Sequence, residues 1–181
     1  MVDCEQSVVL LIDIQDKLVR AVADEAIVSN AVRLLTACQL LQVPVIMTEQ
    51  NPAGLGATVS AVADVLPSGT AVVEKTCFSA WAVPDMQTAL QKTGRRQVII
   101  GGIEAHICVF QTAWALREAG YDVWVMADMC ASRAVADKET ALAELRNIGC
   151  HVIGHEAILF GWLHDAAHPQ FKAVQTLVKK K

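Results

Sequence analysis

A chain of 181 residues that is 54% hydrophobic and 19% charged can bury a full core, which excludes a disordered or fibrous protein. Its net charge of −4 disfavours a nucleic-acid partner, because binding to a phosphate backbone depends on clustered Lys and Arg. The apolar runs are too short to cross a bilayer, and the acidic Asp3 and Glu5 stand where a secretory signal is basic. We therefore expect a cytoplasmic protein with no membrane partner.

Six short segments rich in Val and Ile predict β-strands, and the sequence between them has the periodicity of helices. In chain order the strands are expected at residues 8–13, 43–48, 70–74, 97–101, 122–127 and 150–153. Several of them are apolar throughout, as strands of a parallel sheet are when helices cover both faces. The alternation predicts an α/β fold, a three-layer α-β-α sandwich formed by residues 1–181 as a single domain.

Apolar periodicity and capping residues predict four helices between these strands. They are expected at residues 29–41, 84–92, 107–119 and 137–148. Ser29 is the expected N-cap of the first helix, and Gly94, Gly120 and Gly149 are expected to end the other three. Residues 49–69 contain repeated Asn, Pro and Gly, which predicts a long loop around a short helix at 58–65, and such loops often carry function.

Three reactive side chains follow the first, third and fourth strands, at the edge of the sheet where α/β proteins bind ligands. They are Asp13, Lys75 and Cys108. Cys108 falls near the start of a predicted helix, where free N–H groups and the helix dipole stabilise a thiolate. The Lys75 ammonium is expected to lower the thiol pKa further, while Asp13 takes the thiol proton and returns it to a leaving group.

The six cysteines form no C-x-x-C pair, which favours reduced thiols over disulfides or a zinc site. Cys38 and Cys150 are predicted to be structural, and Cys77 and Cys130 remain weaker candidates for the nucleophile. We expect iodoacetamide to label Cys108 ahead of the other five thiols. The lysines at 179–181 predict a solvated tail.

The histidines give weaker signals. His106 lies two residues from Cys108, which on a helix turns it away from the thiol and disfavours a Cys-His dyad. His164 and His168 have a spacing that can line one helix face with metal ligands, but no third ligand is evident. We therefore predict no metal site.

Three stretches resemble signature motifs of the isochorismatase-like cysteine hydrolases. They are Leu-Leu-Ile-Asp-Ile-Gln (10–15), Glu-Lys-Thr-Cys-Phe-Ser-Ala-Trp (74–81) and Gly-Gly-Ile-Glu-Ala-His-Ile-Cys-Val (101–109). Thr-Glu-Gln-Asn-Pro-Ala-Gly-Leu-Gly (48–56), Asp-Met-Cys-Ala-Ser-Arg (128–133) and His-Pro-Gln-Phe-Lys (168–172) resemble the subgroup of isochorismatase-domain-containing proteins. The resemblance spans nearly the whole chain.

This resemblance implies a six-stranded parallel sheet of order 3-2-1-4-5-6. It assigns Asp13, Lys75 and Cys108 to the family's catalytic triad, and the bond between Ile103 and Glu104 to its non-proline cis peptide. That bond would aim the amides of Glu104 and Cys108 into an oxyanion hole. Nicotinamidases of the superfamily hold a metal through histidines after the second strand, whereas residues 48–52 here contain none. True isochorismatases resemble the fold but lack the nucleophilic cysteine.

The resemblance therefore implies a cofactor-free and metal-independent hydrolase that cleaves a C–N bond of a small amide or ureido substrate through a Cys108 thioester. The alternatives are an isochorismatase-type vinyl ether hydrolase and a non-catalytic binding or assembly protein on the same fold. We expect a homo-oligomer. The residues predicted to line the substrate pocket are Gln15, Gln50, Phe78 and Trp81.

Overall fold

The computed structural model describes residues 1–179, and for Glu25 the backbone only. Its six strands are β1 (Ser7–Ile12), β2 (Val45–Gln50), β3 (Ala71–Lys75), β4 (Gln97–Ile103), β5 (Asp122–Ala131) and β6 (His151–Ile153). All neighbouring strands are parallel, in the order β3-β2-β1-β4-β5-β6, which confirms the predicted sheet. β4 ends two residues beyond its predicted end, and β5 ends four residues beyond. The two strands are longer because Gly102 pairs with Cys130 and Ile103 with Ala131 after a shift in register.

Helices connect the strands on both faces of the sheet. They are α1 (Asp16–Val22), α2 (Glu25–Leu41), α3 (Pro52–Leu55), α4 (Ser60–Ala63), α5 (Pro84–Thr93), α6 (Phe110–Glu118), α7 (Val135–Asn147), α8 (His155–Leu163) and α9 (Phe171–Lys179). A 3₁₀ turn (Ala80–Ala82) follows β3, and a π-helical turn (Ala105–Val109) leads from β4 into α6.

One predicted cap is wrong. α2 begins four residues before Ser29, and Asp24 is its N-cap, accepting a hydrogen bond from the Ala26 N–H at 3.1 Å. Ser29 lies inside the helix, where its hydroxyl donates to the Ala26 carbonyl at 3.0 Å, as serines within helices often do. Gly94 adopts the left-handed conformation that ends α5, as predicted. The predicted long loop is interrupted by α3 and α4.

Both faces of the sheet are buried, which confirms the three layers. In β1, Val9 and Leu11 pack on the face covered by α2, α8 and α9, while Val8 and Leu10 pack on the face covered by α5, α6 and α7. Gly102 has a φ of 141°, and a Cβ there would collide with the Ile12 carbonyl. This glycine lets the end of β4 approach the end of β1 closely, so that the segments after the two strands meet.

Lys179 ends α9 and is exposed, while the other two lysines of the predicted tail, 180 and 181, lie outside the described residues. Within residues 1–179, no helix combines the length and the apolar character needed to cross a membrane.

Candidate active site

A buried ion pair joins the ends of β1 and β3. Asp13 directly follows β1, and Lys75 is the last residue of β3, two strands away. Lys75 Nζ lies 2.7 Å from Asp13 Oδ2, and both side chains are 0% exposed. Asp13 has a φ of 53°, a left-handed conformation that Asp tolerates better than most residues. The turn is held by the Asp13 N–H, which donates to the Thr48 carbonyl at 3.1 Å.

Two side chains of β2 form further hydrogen bonds with this ion pair. The Thr48 hydroxyl donates to Asp13 Oδ1 at 2.6 Å, so both carboxylate oxygens have a donor. Lys75 Nζ also donates to Gln50 Oε1 at 2.6 Å. Buried opposite charges are tolerated only where further hydrogen bonds satisfy them, because removing both ions from water costs several kcal/mol each. β2 supplies those bonds from its carboxyl end.

Gln15 and Gln50, two of the predicted pocket residues, hold backbone segments together. The Gln15 side chain is fully buried, accepting from the Gln50 N–H at 2.7 Å and donating to the carbonyls of Gln50 and Gly56. Gln50 Nε2 donates to the Thr76 carbonyl at 2.7 Å, while its oxygen binds Lys75. The polar atoms of both amides are therefore engaged within the protein, and the two residues position the ion pair.

Cys108 lies in the π-helical turn after β4 and is buried beside the ion pair. Burial and the Asp13 carboxylate raise the pKa of its thiol to about 12, against the opposing effect of the Lys75 ammonium. Lys75 lowers this pKa, as expected, but the net shift is upward, which the sequence did not predict, because removal of the thiol from water dominates. At neutral pH the resting residue is a thiol.

The turn before Cys108 is shaped by Glu104. The peptide bond between Ile103 and Glu104 is cis. The Glu104 carbonyl accepts hydrogen bonds from the N–H groups of Ile107 and Val109, on either side of Cys108, at 3.1 and 3.2 Å. Its carboxylate accepts from the backbone N–H and the Nε of Arg133 at 3.1 and 3.0 Å. Glu104 is thereby fixed by both its main chain and its side chain, next to the thiol.

The two aromatic residues predicted for the pocket have different surroundings. Phe78 is 52% exposed. Trp81 packs edge to face against Tyr121, with 5.5 Å between ring centroids. Tyr121 directly precedes β5, so one contact of Trp81 is directed toward the amino edge of the sheet.

The remaining thiols differ from Cys108 in their surroundings. Cys38 is buried in α2, and Cys150 is buried just before β6. Cys130 is buried in β5, where loss of solvent raises its pKa to about 12. Cys77 is exposed, and its thiol donates to the Ser79 carbonyl at 3.3 Å. Cys77 is therefore the most accessible of these thiols, which favours its labelling by iodoacetamide ahead of Cys108 and argues against the order expected from the sequence.

His106 is directed away from the thiol. Its Nδ1 lies 2.9 Å from the Ser132 hydroxyl, and its Nε2 lies 3.9 Å from an oxygen of Asp137. Among residues 1–179, the structure shows no group of three or more His, Cys, Asp and Glu side chains placed to hold a metal ion.

The sequence did not predict two contacts at the carboxyl edge of the sheet. Thr48 was expected only as the end of a strand, although a hydroxyl after an apolar run is a signal for a polar site. Its contact with Asp13 depends on the register that pairs Ile12 with Thr48. The second is a carboxylate and imidazole pair, in which Asp128 Oδ2 lies 2.7 Å from His155 Nδ1 at the start of α8.

The comparisons with known proteins agree with this fold. The Isochorismatase domain model matches residues 7–157. Isochorismatase domain-containing protein 2 of Bos taurus is 40% identical over 175 residues, covering 96% of this chain and 83% of that protein. The chain thus has an isochorismatase-like hydrolase fold. It belongs to the isochorismatase family.

Two solved structures show the same architecture. The structure described as MAR1 ribonuclease from Caenorhabditis elegans is 34% identical, with a TM-score of 0.92 over 98% of this chain and 91% of that one. The YcaC gene product of Escherichia coli, described as an octameric hydrolase of unknown specificity, is 22% identical with a TM-score of 0.86. It covers 96% of this chain and 94% of that one, and at this identity it supports the fold alone.

Proposed function

We propose that the protein is a metal-independent, cofactor-free hydrolase of a C–N bond in a small amide or ureido compound, with Cys108 as the nucleophile. The observation that carries this proposal is the fully buried Asp13–Lys75 pair, 2.7 Å apart, beside the Cys108 thiol. A structural role alone is a poor explanation for such a pair, since apolar residues of similar volume stabilise a core at least as well.

The first half-reaction forms a thioester. Cys108 Sγ attacks the carbonyl carbon, and the thiol proton passes to the Asp13 carboxylate as the S–C bond forms. Because the thiol pKa is raised to about 12, this proton transfer accompanies the attack and does not precede it. The tetrahedral oxyanion is stabilised by the N–H groups of Glu104 and Cys108. The C–N bond then breaks, and Asp13 returns the proton to the leaving nitrogen.

The second half-reaction restores the enzyme. Water attacks the thioester carbonyl and gives a proton to Asp13, the S–C bond breaks, and the departing sulfur takes the proton back. The products are the acid and the amine, or ammonia for a primary amide. Throughout both halves the Lys75 ammonium holds the Asp13 carboxylate in place through the 2.7 Å contact between them. Thr48 and Gln50 hold the two charges in place, at 2.6 Å each.

A matched pair of cysteine variants tests this proposal. We expect Cys108→Ala to abolish turnover and Cys77→Ala to retain it, because only the Cys108 thiol interacts with Asp13 and Lys75. Cys77 reaches Lys75 through its main-chain carbonyl, at 3.5 Å, and its thiol donates to the Ser79 carbonyl instead. The assay measures ammonia release from a panel of small primary amides and ureas, with thermal unfolding as the control for folding. A Cys108→Ala protein that still releases ammonia at the wild-type rate would contradict the thioester route.

The same panel separates the alternatives. Hydrolysis of isochorismate that survives Cys108→Ala would support the vinyl ether reaction, and a wild-type protein with no turnover would support a binding or assembly role. RNA belongs in the panel because of the name of the Caenorhabditis elegans structure. The net charge of −4 disfavours RNA as a substrate of this chain.

We also propose that the protein is a cytoplasmic single domain that acts as a homo-oligomer. β3 is an edge strand of the sheet and exposes the apolar side chain of Val72, which favours contact with another copy. Light scattering on the purified protein measures the assembled mass, and a mass of one chain would contradict this part of the proposal.

A further inference from the structure

The Ser79 hydroxyl is a buried polar group without a partner. Within residues 1–179, it is the one buried side-chain oxygen or nitrogen for which the structure shows no hydrogen bond. Ser79 is the N-cap of the 3₁₀ turn at Ala80–Ala82, where a serine hydroxyl usually accepts from a backbone N–H, yet it makes no such bond. Buried polar atoms in native proteins nearly always have a partner, so this hydroxyl is available to a group from outside the chain, either an ordered water or a polar group of the substrate.

The Ser79 backbone is well fixed. Its carbonyl accepts from the Ala82 N–H at 3.2 Å and from the Cys77 thiol at 3.3 Å. The next residue, Ala80, is fully buried, and its N–H donates to the Thr112 hydroxyl at 2.9 Å. The missing partner is therefore not explained by a loose segment, because the chain on both sides of the hydroxyl is held.

These contacts place Ser79 between the two halves of the active site. Four residues before it in the chain, Lys75 holds Asp13. On its other side, Ala80 is tied to Thr112, which lies four residues after Cys108 and so one turn further along the same face of the helix. Ala80 and Cys108 also belong to the same buried cluster. The Ser79 segment therefore bridges from Lys75 to the helix that carries the thiol.

We propose that Ser79 Oγ is a specificity-determining group that accepts a hydrogen bond from the N–H of the leaving nitrogen. This inference rests on the proposed function. The oxyanion donors Glu104 and Cys108 come from the β4 side of the thiol, whereas Ser79 arrives with Lys75 from the β3 side. Asp13, bound to Lys75, delivers the proton to the leaving nitrogen, so the β3 side is the leaving-group side. A hydroxyl there distinguishes a nitrogen that carries hydrogen from an ester oxygen that does not.

A comparison of an amide with its ester tests this role. The probes are the primary amide that the panel shows to be hydrolysed fastest and the methyl ester of the same acid. The ester keeps the acyl group but has no N–H at the leaving atom. We expect Ser79→Ala to lower kcat/KM for the amide by about tenfold, which corresponds to one lost hydrogen bond, and to leave ester hydrolysis within about twofold of wild type.

A control variant separates the loss of a hydrogen bond to the substrate from a general structural effect of removing a hydroxyl. Thr93→Ala removes a partnered hydroxyl at the end of α5, which leads into the amino end of β4 at the opposite edge of the sheet from the thiol, and is expected to change neither reaction. An equal fall for amide and ester in Ser79→Ala, or no fall for either, would overturn the role of Ser79. The activity of the Cys108→Ala variant tests the thioester route independently of Ser79. A failure of the proposed function is therefore distinguishable from a failure of the proposed role of Ser79. Wild type that hydrolyses neither probe would overturn both.

Discussion

Two pairs of an acid and a base lie at the carboxyl edge of the same sheet, and their surroundings differ. Asp13 and Lys75 are 2.7 Å apart and completely buried, next to a thiol. Asp128 and His155 are also 2.7 Å apart, but their side chains are 43% and 10% exposed. The Asp128 carboxylate accepts a second hydrogen bond from the His155 N–H at 2.8 Å, at the first residue of α8.

Under the proposed function, this difference in burial distinguishes the chemical role of the first pair from the structural role of the second. The half-exposed Asp128 stabilises the N-terminus of a helix, where a carboxylate is favoured by free N–H groups and by the helix dipole. The buried Asp13 caps no helix, and its environment is costly for a charge. Similar geometry at one edge therefore has different consequences, because the degree of burial sets the energy of each charge.

The largest effect is expected from breaking the buried pair. Lys75→Met should lower the free energy of unfolding by about 3–5 kcal/mol, because it leaves the Asp13 charge buried without its partner. Turnover should be lost as well. Urea denaturation at pH 7 measures the first effect and ammonia release the second.

A double variant separates these two consequences. Asp13→Asn combined with Lys75→Met removes both charges, so it should recover much of the lost stability but none of the activity. If the single and double variants prove equally stable, the isolated charge is not the source of the loss.

A smaller effect is expected at the second pair. Burial alone would raise the pKa of Asp128, but the hydrogen bonds and the charge of His155 outweigh it and hold that pKa below its usual value. His155→Ala should lower the free energy of unfolding by about 1 kcal/mol at pH 7, while turnover stays close to wild type.

The pH dependence of the free energy of unfolding tests how the lowered pKa of Asp128 contributes to stability. A lowered pKa in the folded state stabilises the protein above the unfolded value of about 4, and this contribution is lost as the pH falls through the folded value. The difference in the free energy of unfolding between wild type and His155→Ala should therefore become smaller below about pH 4. If the stability difference grew as the pH fell from about 4 to about 2, where Asp128 takes up its proton, the assignment would be contradicted.

The third test changes no residue and compares two thiols. Iodoacetamide at pH 7 should label the exposed Cys77 first and Cys108 slowly, as measured by mass spectrometry of the separated peptides. Because burial and Asp13 raise the pKa of Cys108 to about 12, its labelling rate should rise about tenfold per pH unit and still be rising at pH 10. A plateau near pH 8 would show that the Cys108 thiol ionises far more readily than its surroundings allow.

Much of the fold could be predicted because the patterns are local. Apolar runs indicated all six strands, and glycine signals indicated the ends of α5, α6 and α7. α8 was missed because its residues are apolar on nearly every side, with five of nine buried, so it shows no helical stripe. Ser29 misled the prediction of α2 because serine occurs both at caps and inside helices, and the nearby Asp24 makes the cap.

The positions of Asp13, Lys75 and Cys108 at or after the ends of three strands of one parallel sheet could be predicted from the amino-acid sequence, because strand patterns depend on neighbouring residues. The contact of Thr48 with Asp13, the complete burial of the ion pair and the raised pKa of the Cys108 thiol could not be predicted in this way. Each of these depends on register and on the exclusion of water by distant segments. A pKa reports the balance of burial against neighbouring charge, and that balance exists only after the segments have packed together.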